Sequence, residues 1–177
     1  EGYNADFNAL ANVKKLATEL LDKHPKLDVL INNAGIGLTG DRKVSQDGYE
    51  LRFAVNYIAP FLLTHLLIPI LKKATPSRIV NVASIGQHPL DFNNIMLEKN
   101  YDPRRAYRQS KLALIMFSFT LAEKLKDANI SVNALHPGTY LDTKMVREAG
   151  ITPLGGIESG ANAEVYLAIK PDRNCGI

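Results

Sequence analysis

Three tyrosines of this chain are each followed, four positions on, by a lysine: Tyr107 with Lys111, Tyr140 with Lys144 and Tyr166 with Lys170. On a helix that spacing puts both side chains on one face. A phenol titrates at about 10 in water, and an adjacent ammonium favours its ionised form, so such a pair is equipped to exchange a proton with a substrate oxygen. The same spacing equally describes an exposed tyrosine and lysine in ordinary surface contact. Position separates the three. Only Tyr107 falls early in a helix that starts at the same edge as Ser84, whose hydroxyl would hydrogen-bond that oxygen.

The elements that must carry these residues follow from the apolar pattern. Leu10, Val13, Leu16, Ala17, Leu20 and Leu21 have helical spacing, with Asn8 as the expected cap and Pro25 beyond the end. The segments 27–31, 78–83 and 130–135 are short, apolar and rich in β-branched residues, and read as buried strands. Ala5-Asp6-Phe7 reads as the end of a fourth. Ser45 to Lys73 reads as one or two helices stopped before Pro76, and Asp102 with Pro103 forms the cap and first turn of a helix running to about Lys126. Strands alternating with helices give an α/β fold, a doubly wound parallel sheet covered on both faces. No repeat or linker interrupts the chain, so residues 1–177 read as a single domain.

In such sheets ligands bind beyond the carboxyl ends of the strands. There stand Asn32-Asn33-Ala34-Gly35, then Ser84, then His136-Pro137-Gly138. Gly35-Ile36-Gly37-Leu38-Thr39-Gly40 matches a phosphate-binding glycine fingerprint in spacing only. That fingerprint opens a helix and is followed by an acidic residue at a strand end, whereas residues 41–45 read as loop and no such residue follows.

Composition excludes several classes. With 46% hydrophobic and 22% charged residues the chain is neither disordered nor fibrous. The net charge of +3 comes from 21 basic and 18 acidic residues spread along the sequence, which predicts no nucleic-acid partner. Cys175 has no second cysteine to pair with, and the four histidines lack metal-ligand spacing. The longest apolar run, Ile58 to Leu71, is shorter than the roughly 20 residues of a membrane helix and reads as a buried one. No signal segment opens the chain and Glu1 is its first residue, so the expectation is a cytoplasmic sequence that begins inside a longer protein.

Asn32-Asn33-Ala34-Gly35, Asn56, Asn81-Val82-Ala83-Ser84, Tyr107-Arg108-Gln109-Ser110-Lys111 and Pro137-Gly138 occur in the order and approximate spacing of the short-chain dehydrogenases/reductases. The chain resembles that family over nearly its whole length. The run His136 to Thr143 and the interval from Ser84 to Tyr107 look most like its retinol-dehydrogenase-like branch. The resemblance implies a Rossmann domain moving hydride between NAD or NADP and the hydroxyl or carbonyl carbon of a small molecule with an apolar body. It implies Tyr107 as the acid/base, Lys111 as the residue that lowers its pKa and binds ribose, Ser84 as the substrate-oxygen ligand and Asn56 as the anchor of a proton-relay water. Asn32, Asn33, Ala34 and Gly35 would approach the cofactor ribose, Asp6 would receive the adenine amine, and Pro137 and Gly138 would lie beside the nicotinamide. Read without the family, Asn56 equally caps or kinks a helix and Ser84 equally starts a turn.

Two departures stand out. Thr143 lies one position later after Gly138 than the family's pyrophosphate-contacting threonine. The family's first strand, phosphate loop, first helix and second strand have no counterpart before Glu1, nor has its last strand after Gly176, so the Rossmann sheet is expected to be incomplete at both ends. The absent strands would fall between the Ala5-Phe7 and Leu27-Ile31 strands, and the chain alone is expected to bind NAD(P)H poorly. The Asp102–Lys126 helix is apolar all round at 112–117, so one side meets the sheet and the other a homodimer partner or a neighbouring helix. Readings from other classes are a non-catalytic Rossmann remnant and, against the Asn-Asn-Ala-Gly run, a sugar-nucleotide epimerase.

Overall fold

The computed structural model describes residues 1–74 and 76–170, which leaves Cys175 and the stretch after Gly176 outside it. Strands β1 (Val29–Asn32), β2 (Ser77–Val82) and β3 (Ile130–Leu135) form a parallel sheet in the order β1-β2-β3. Parallel neighbours need long crossovers. The first is supplied by α2 (Leu51–Phe53), which runs through a π-helical turn, Ala54–Ile58, into α3 (Ala59–Leu71). The second is α4 (Pro103–Leu125). Helix α1 (Leu10–Lys23) precedes the sheet, and α5 (Lys144–Glu148) and α6 (Ile157–Ile169) follow it.

Strand side chains alternate between faces, and each face finds its own cover. Ile79, Ile130 and Val132 join Val13, Ala17, Leu63, Leu67 and Leu114 in the main core beneath α1, α3 and α4. Val80, Val82 and Leu135 pack with Ala163 and Leu167 of α6 on the other side. Every residue of β3 is buried, as a strand covered on both faces requires. The doubly wound α/β expectation therefore holds. The 21-residue helical stretch Leu51–Leu71, with a mean hydropathy of 1.7, is long and apolar enough to cross a membrane by length and composition. Its Ala59, Leu63, Leu67 and Leu71 are instead buried in this core.

A chain of buried polar groups crosses the sheet and fixes its register. The Asn32 amide donates to Asn81 Oδ1 at 2.7 Å and to Thr64 Oγ1 at 3.0 Å. Asn81 Nδ2 donates to Ser118 Oγ at 2.8 Å, and Ser118 closes the chain on the Leu114 carbonyl at 2.7 Å. Asn32 and Asn81 are register partners. Slipping by one residue would turn these groups to the opposite face and leave each without its partner.

Three expectations are corrected. Ala5-Asp6-Phe7 is not a strand. Among the described residues β1 pairs with β2 alone, and Asp6 is occupied in starting α1: its carbonyl accepts from Ala9 N at 3.3 Å and Asn12 Nδ2 at 3.1 Å, and its carboxylate from Asn8 N at 2.9 Å. Local side-chain bonding of this kind competes with a ladder. Asn8 is not the cap of α1; Asp47 reaches across to accept from Leu10 N at 2.8 Å. Residues 45–49 form a turn rather than a helix, with Gly48 at φ 87° and an antiparallel bridge between Val44 and Glu50. Helix α4, by contrast, starts where its sequence says, with Asp102 accepting from Arg104 N at 2.7 Å and Arg105 N at 2.9 Å. Its second buried side meets helices of the same chain, Phe117 lying 5.0 Å from Phe61 and 5.6 Å from His65 between ring centroids.

Candidate active site

Strand β2 ends at Val82, and two residues later Ser84 stands at the sheet's carboxyl edge. The loop from there returns as α4, whose early turns bring Tyr107 and Lys111 to the same edge, 9% and 4% exposed. Lys111 Nζ donates to the Val82 carbonyl at 2.7 Å. Ser84 stands close enough to the Tyr107 phenol to influence its titration, and its Oγ accepts from Gly86 N at 3.1 Å. The other two pairs are built differently. Tyr140 is exposed in a turn at φ 50°, and Tyr166 is 64% exposed on α6.

Burial sets the electrostatics. Desolvation lowers Lys111 from 10.5 to about 8. The Tyr107 phenol is raised, desolvation outweighing the nearby Ser84 hydroxyl that pulls it down. The expected lowering of the phenol by the ammonium is therefore not what the structure shows: Nζ lies 5.8 Å from the Tyr107 ring centroid and is turned to a backbone carbonyl.

Asn56 sits in the π-helical turn, an irregularity that often marks functional positions. Its Oδ1 accepts from Ile36 N at 2.8 Å, and its Nδ2 donates to the Ile36 carbonyl at 3.2 Å and to Ser110 Oγ at 3.0 Å. Ser110 Oγ in turn donates to the Tyr107 carbonyl at 2.7 Å. The side-chain amide thus ties the loop after β1 to α4. That loop runs so close that a Cβ on Gly35 would lie 3.2 Å from Asn56 Oδ1 and 3.6 Å from Lys111 Nζ. The glycine run of residues 35–40 opens no helix, since α2 begins only at Leu51.

The remaining predicted residues divide. Asn33, Ala34 and Gly35 are exposed along the strand-end edge. Asn32 is corrected: its side chain is turned into the core, away from that edge. Gly138 adopts φ 139°, open to glycine alone, and Gly160 lets α6 approach until a Cβ there would lie 3.3 Å from the Pro137 carbonyl. Asp6 stands apart, in a polar depression with Asn4, Asn12, Lys15 and Glu19. Thr143 caps α5, accepting from Val146 N at 3.4 Å. Burial lowers the His136 pKa, which favours the neutral ring.

Sequence reasoning missed a buried cluster next to this site. Glu50 and Arg52 are 1% and 5% exposed and form an ion pair at 3.4 Å, with the Tyr101 hydroxyl donating to Glu50 at 3.1 Å. Desolvation, reinforced by Glu50, pushes the Tyr101 phenol up to about 12. Two opposite charges at the head of the most apolar stretch were the available signal. Gln109, fully buried, was also missed; it accepts from Asp91 N and donates to the Ile95 carbonyl, both at 3.3 Å, and so holds the 87–101 segment to α4.

These residues fit the ribose end of a nicotinamide dinucleotide. The Lys111 ammonium has three donors, one of which the Val82 carbonyl takes. At Gly35 beside it, a Cβ would crowd Asn56 Oδ1 at 3.2 Å.

Residues 1–153 match the family described as short chain dehydrogenase. Mouse retinol dehydrogenase 14 is 39% identical over 182 aligned residues, covering 94% of this chain and 54% of the relative. The chain therefore spans about half the length of the curated relatives it matches. The crystal structure of NADPH-bound carbonyl reductase from chicken fatty liver superposes with a TM-score of 0.67 at 27% identity, over 93% of this chain and 68% of that one. A metagenomic short-chain oxidoreductase in complex with NADP shares the fold, with a TM-score of 0.72 at 24% identity over 100% of this chain and 72% of that one. With the family's match running from the first residue through all three strands and α4, the chain belongs to the short-chain dehydrogenases.

Proposed function

We propose that this chain carries the acid/base site of an NAD(P)-dependent oxidoreductase acting on an alcohol, or its carbonyl counterpart, with an apolar body. The observation that carries the reading is the gathering of half-buried Ser84 with buried Tyr107 and Lys111 at the end of β2. A bound nicotinamide would supply or accept the hydride. The chain's own residues would do the rest. Near neutrality the raised Tyr107 phenol is protonated, the form that gives its proton to a carbonyl oxygen during reduction. Ser84 would hold that oxygen by a hydrogen bond. Lys111 would bind ribose hydroxyls through the donors that the Val82 carbonyl leaves unused. Asn56, by fixing the loop against Ser110, would keep α4 in register with the ligand edge.

An apolar substrate is supported by Ile85 and Phe92, 71% and 77% exposed. Ile85 follows Ser84 directly. Phe92 is held near α4 through Asp91, which pairs with Arg105 at 2.9 Å. Small-molecule sites are lined mostly by apolar side chains with a few placed polar groups.

The test is dinucleotide-dependent turnover of a panel of apolar aldehydes and alcohols by the natural protein and its Ser84→Ala variant. Losing the hydrogen bond to the reacting oxygen should lower turnover by about a hundredfold or more. Absence of turnover in the natural protein, or full activity in the variant, overturns the reading.

A further inference from the structure

We propose that Arg52 is a positioning residue, which with Glu50 and Tyr101 locks the loop after β1 onto the head of α2 so that Asn56 can hold that loop over α4. The inference rests on the acid/base reading above for its kinetic consequence only. Arg52 Nε donates to the Gly37 carbonyl at 2.7 Å, and its Nη2 donates to the Thr39 carbonyl. Its Nη1 meets Glu50 and the Tyr101 hydroxyl. Glu50 Oε2 accepts from Phe53 N at 2.8 Å, so the carboxylate that fixes the guanidinium is itself fixed by the helix it caps.

Arg52 and Asn56 lie in succession on one helical stretch and grip successive residues of one loop. Asn56 takes both backbone groups of Ile36, and Arg52 takes the carbonyl of Gly37. The planar fork of an arginine suits this, since it presents several donors at fixed angles, where lysine presents a point charge. The 87–101 segment is joined to the same point, because Tyr101 closes on Glu50 and Arg42 donates to the Met96 carbonyl at 3.2 and 3.1 Å. Gly37 also touches α5, a Cβ there meeting Met145 Cγ at 2.5 Å. One buried ion pair thereby sets the relative placement of the segments that border the site. A buried ion pair contributes little net stability compared with apolar residues of the same shape. Its consequence here is the placement of Gly37 and Thr39.

The experiment compares Arg52→Met, Arg52→Lys and Tyr101→Phe in the natural protein, reading hydrogen exchange at amides 34–40, melting temperature, and kcat and KM for the carbonyl substrate. In Arg52→Met, exchange at 34–40 should rise about tenfold or more through local opening. Turnover should fall by between about tenfold and a hundredfold, as small misplacements do, with KM little changed. Arg52→Lys should recover part of both effects, and Tyr101→Phe should show a weaker form of each. A folded Arg52→Met with wild-type exchange at 34–40, or with faster exchange and wild-type kcat, overturns the proposal. If Arg52→Met does not fold, Tyr101→Phe decides by the same two readouts. If the natural protein has no turnover, the acid/base reading fails, and exchange at 34–40 alone decides whether Arg52 holds the loop.

Discussion

The Lys111 ammonium donates to the Val82 carbonyl and lies 5.8 Å from the Tyr107 ring centroid, so the two catalytic candidates share a helix face without touching through their polar atoms. Each is governed by its own burial. The phenol is held protonated, and the ammonium is brought close to losing its proton.

Lys111 should therefore make stability depend on pH. Below about pH 8 the amine is charged in both the folded and the unfolded chain, and burial disfavours the folded one. Between about 8 and 10.5 only the unfolded chain holds the proton, so stability rises with pH across that window. The contribution is about 3 kcal/mol. Lys111→Met should melt higher than the natural protein at pH 7, with the gap closing toward pH 10.5, while losing activity. A variant less stable at neutral pH would show that the bond to Val82 outweighs desolvation.

Asn81 joins both halves of the buried polar chain, and Asn81→Val takes one of two partners from the Asn32 amide, which keeps Thr64, and one from the Ser118 hydroxyl, which keeps the Leu114 carbonyl. Unpaired buried groups cost about 1–3 kcal/mol each. Urea unfolding should show a lower midpoint with an unchanged slope, and adding Asn32→Leu should cost less than the sum of the two single changes.

Gly37→Ala should displace α5, because the new Cβ meets Met145 Cγ at 2.5 Å. Met145→Ala in the same chain removes the clash. The double variant should regain most of the turnover and stability lost by Gly37→Ala alone, a coupling readable in a double-mutant cycle. Additive effects would mean that the loop and α5 do not bear on each other.

Much of this architecture is legible in the sequence, where local chemistry decides it. The strand 130–135, the Asp102 cap and the placing of Tyr107 early in α4 all follow from patterns within a few residues of each other. What escapes is decided by distant neighbours. Ala5-Phe7 has strand-like composition and no strand beside it, so Asp6 uses its groups to start α1. Asn32 belongs to a motif expected at the ligand edge, yet its side chain meets Thr64 and Asn81 across the core. Glu50 and Tyr101 are 51 positions apart, and no spacing rule joins them. The direction of the Tyr107 shift was missed for the same reason: the four-residue spacing gives the shared face, whereas the carbonyl that turns Lys111 away belongs to β2.

The most direct test of the acid/base assignment is the turnover of Tyr107→Phe in the natural protein, measured beside Tyr140→Phe and Tyr166→Phe with dinucleotide affinity determined for each. Removing the phenol oxygen while keeping the ring should lower turnover by about a hundredfold to ten-thousandfold. Dinucleotide affinity should stay within about twofold, and the other two variants should remain near the natural rate. Wild-type turnover by Tyr107→Phe, or loss of turnover confined to Tyr140→Phe or Tyr166→Phe, would contradict the account.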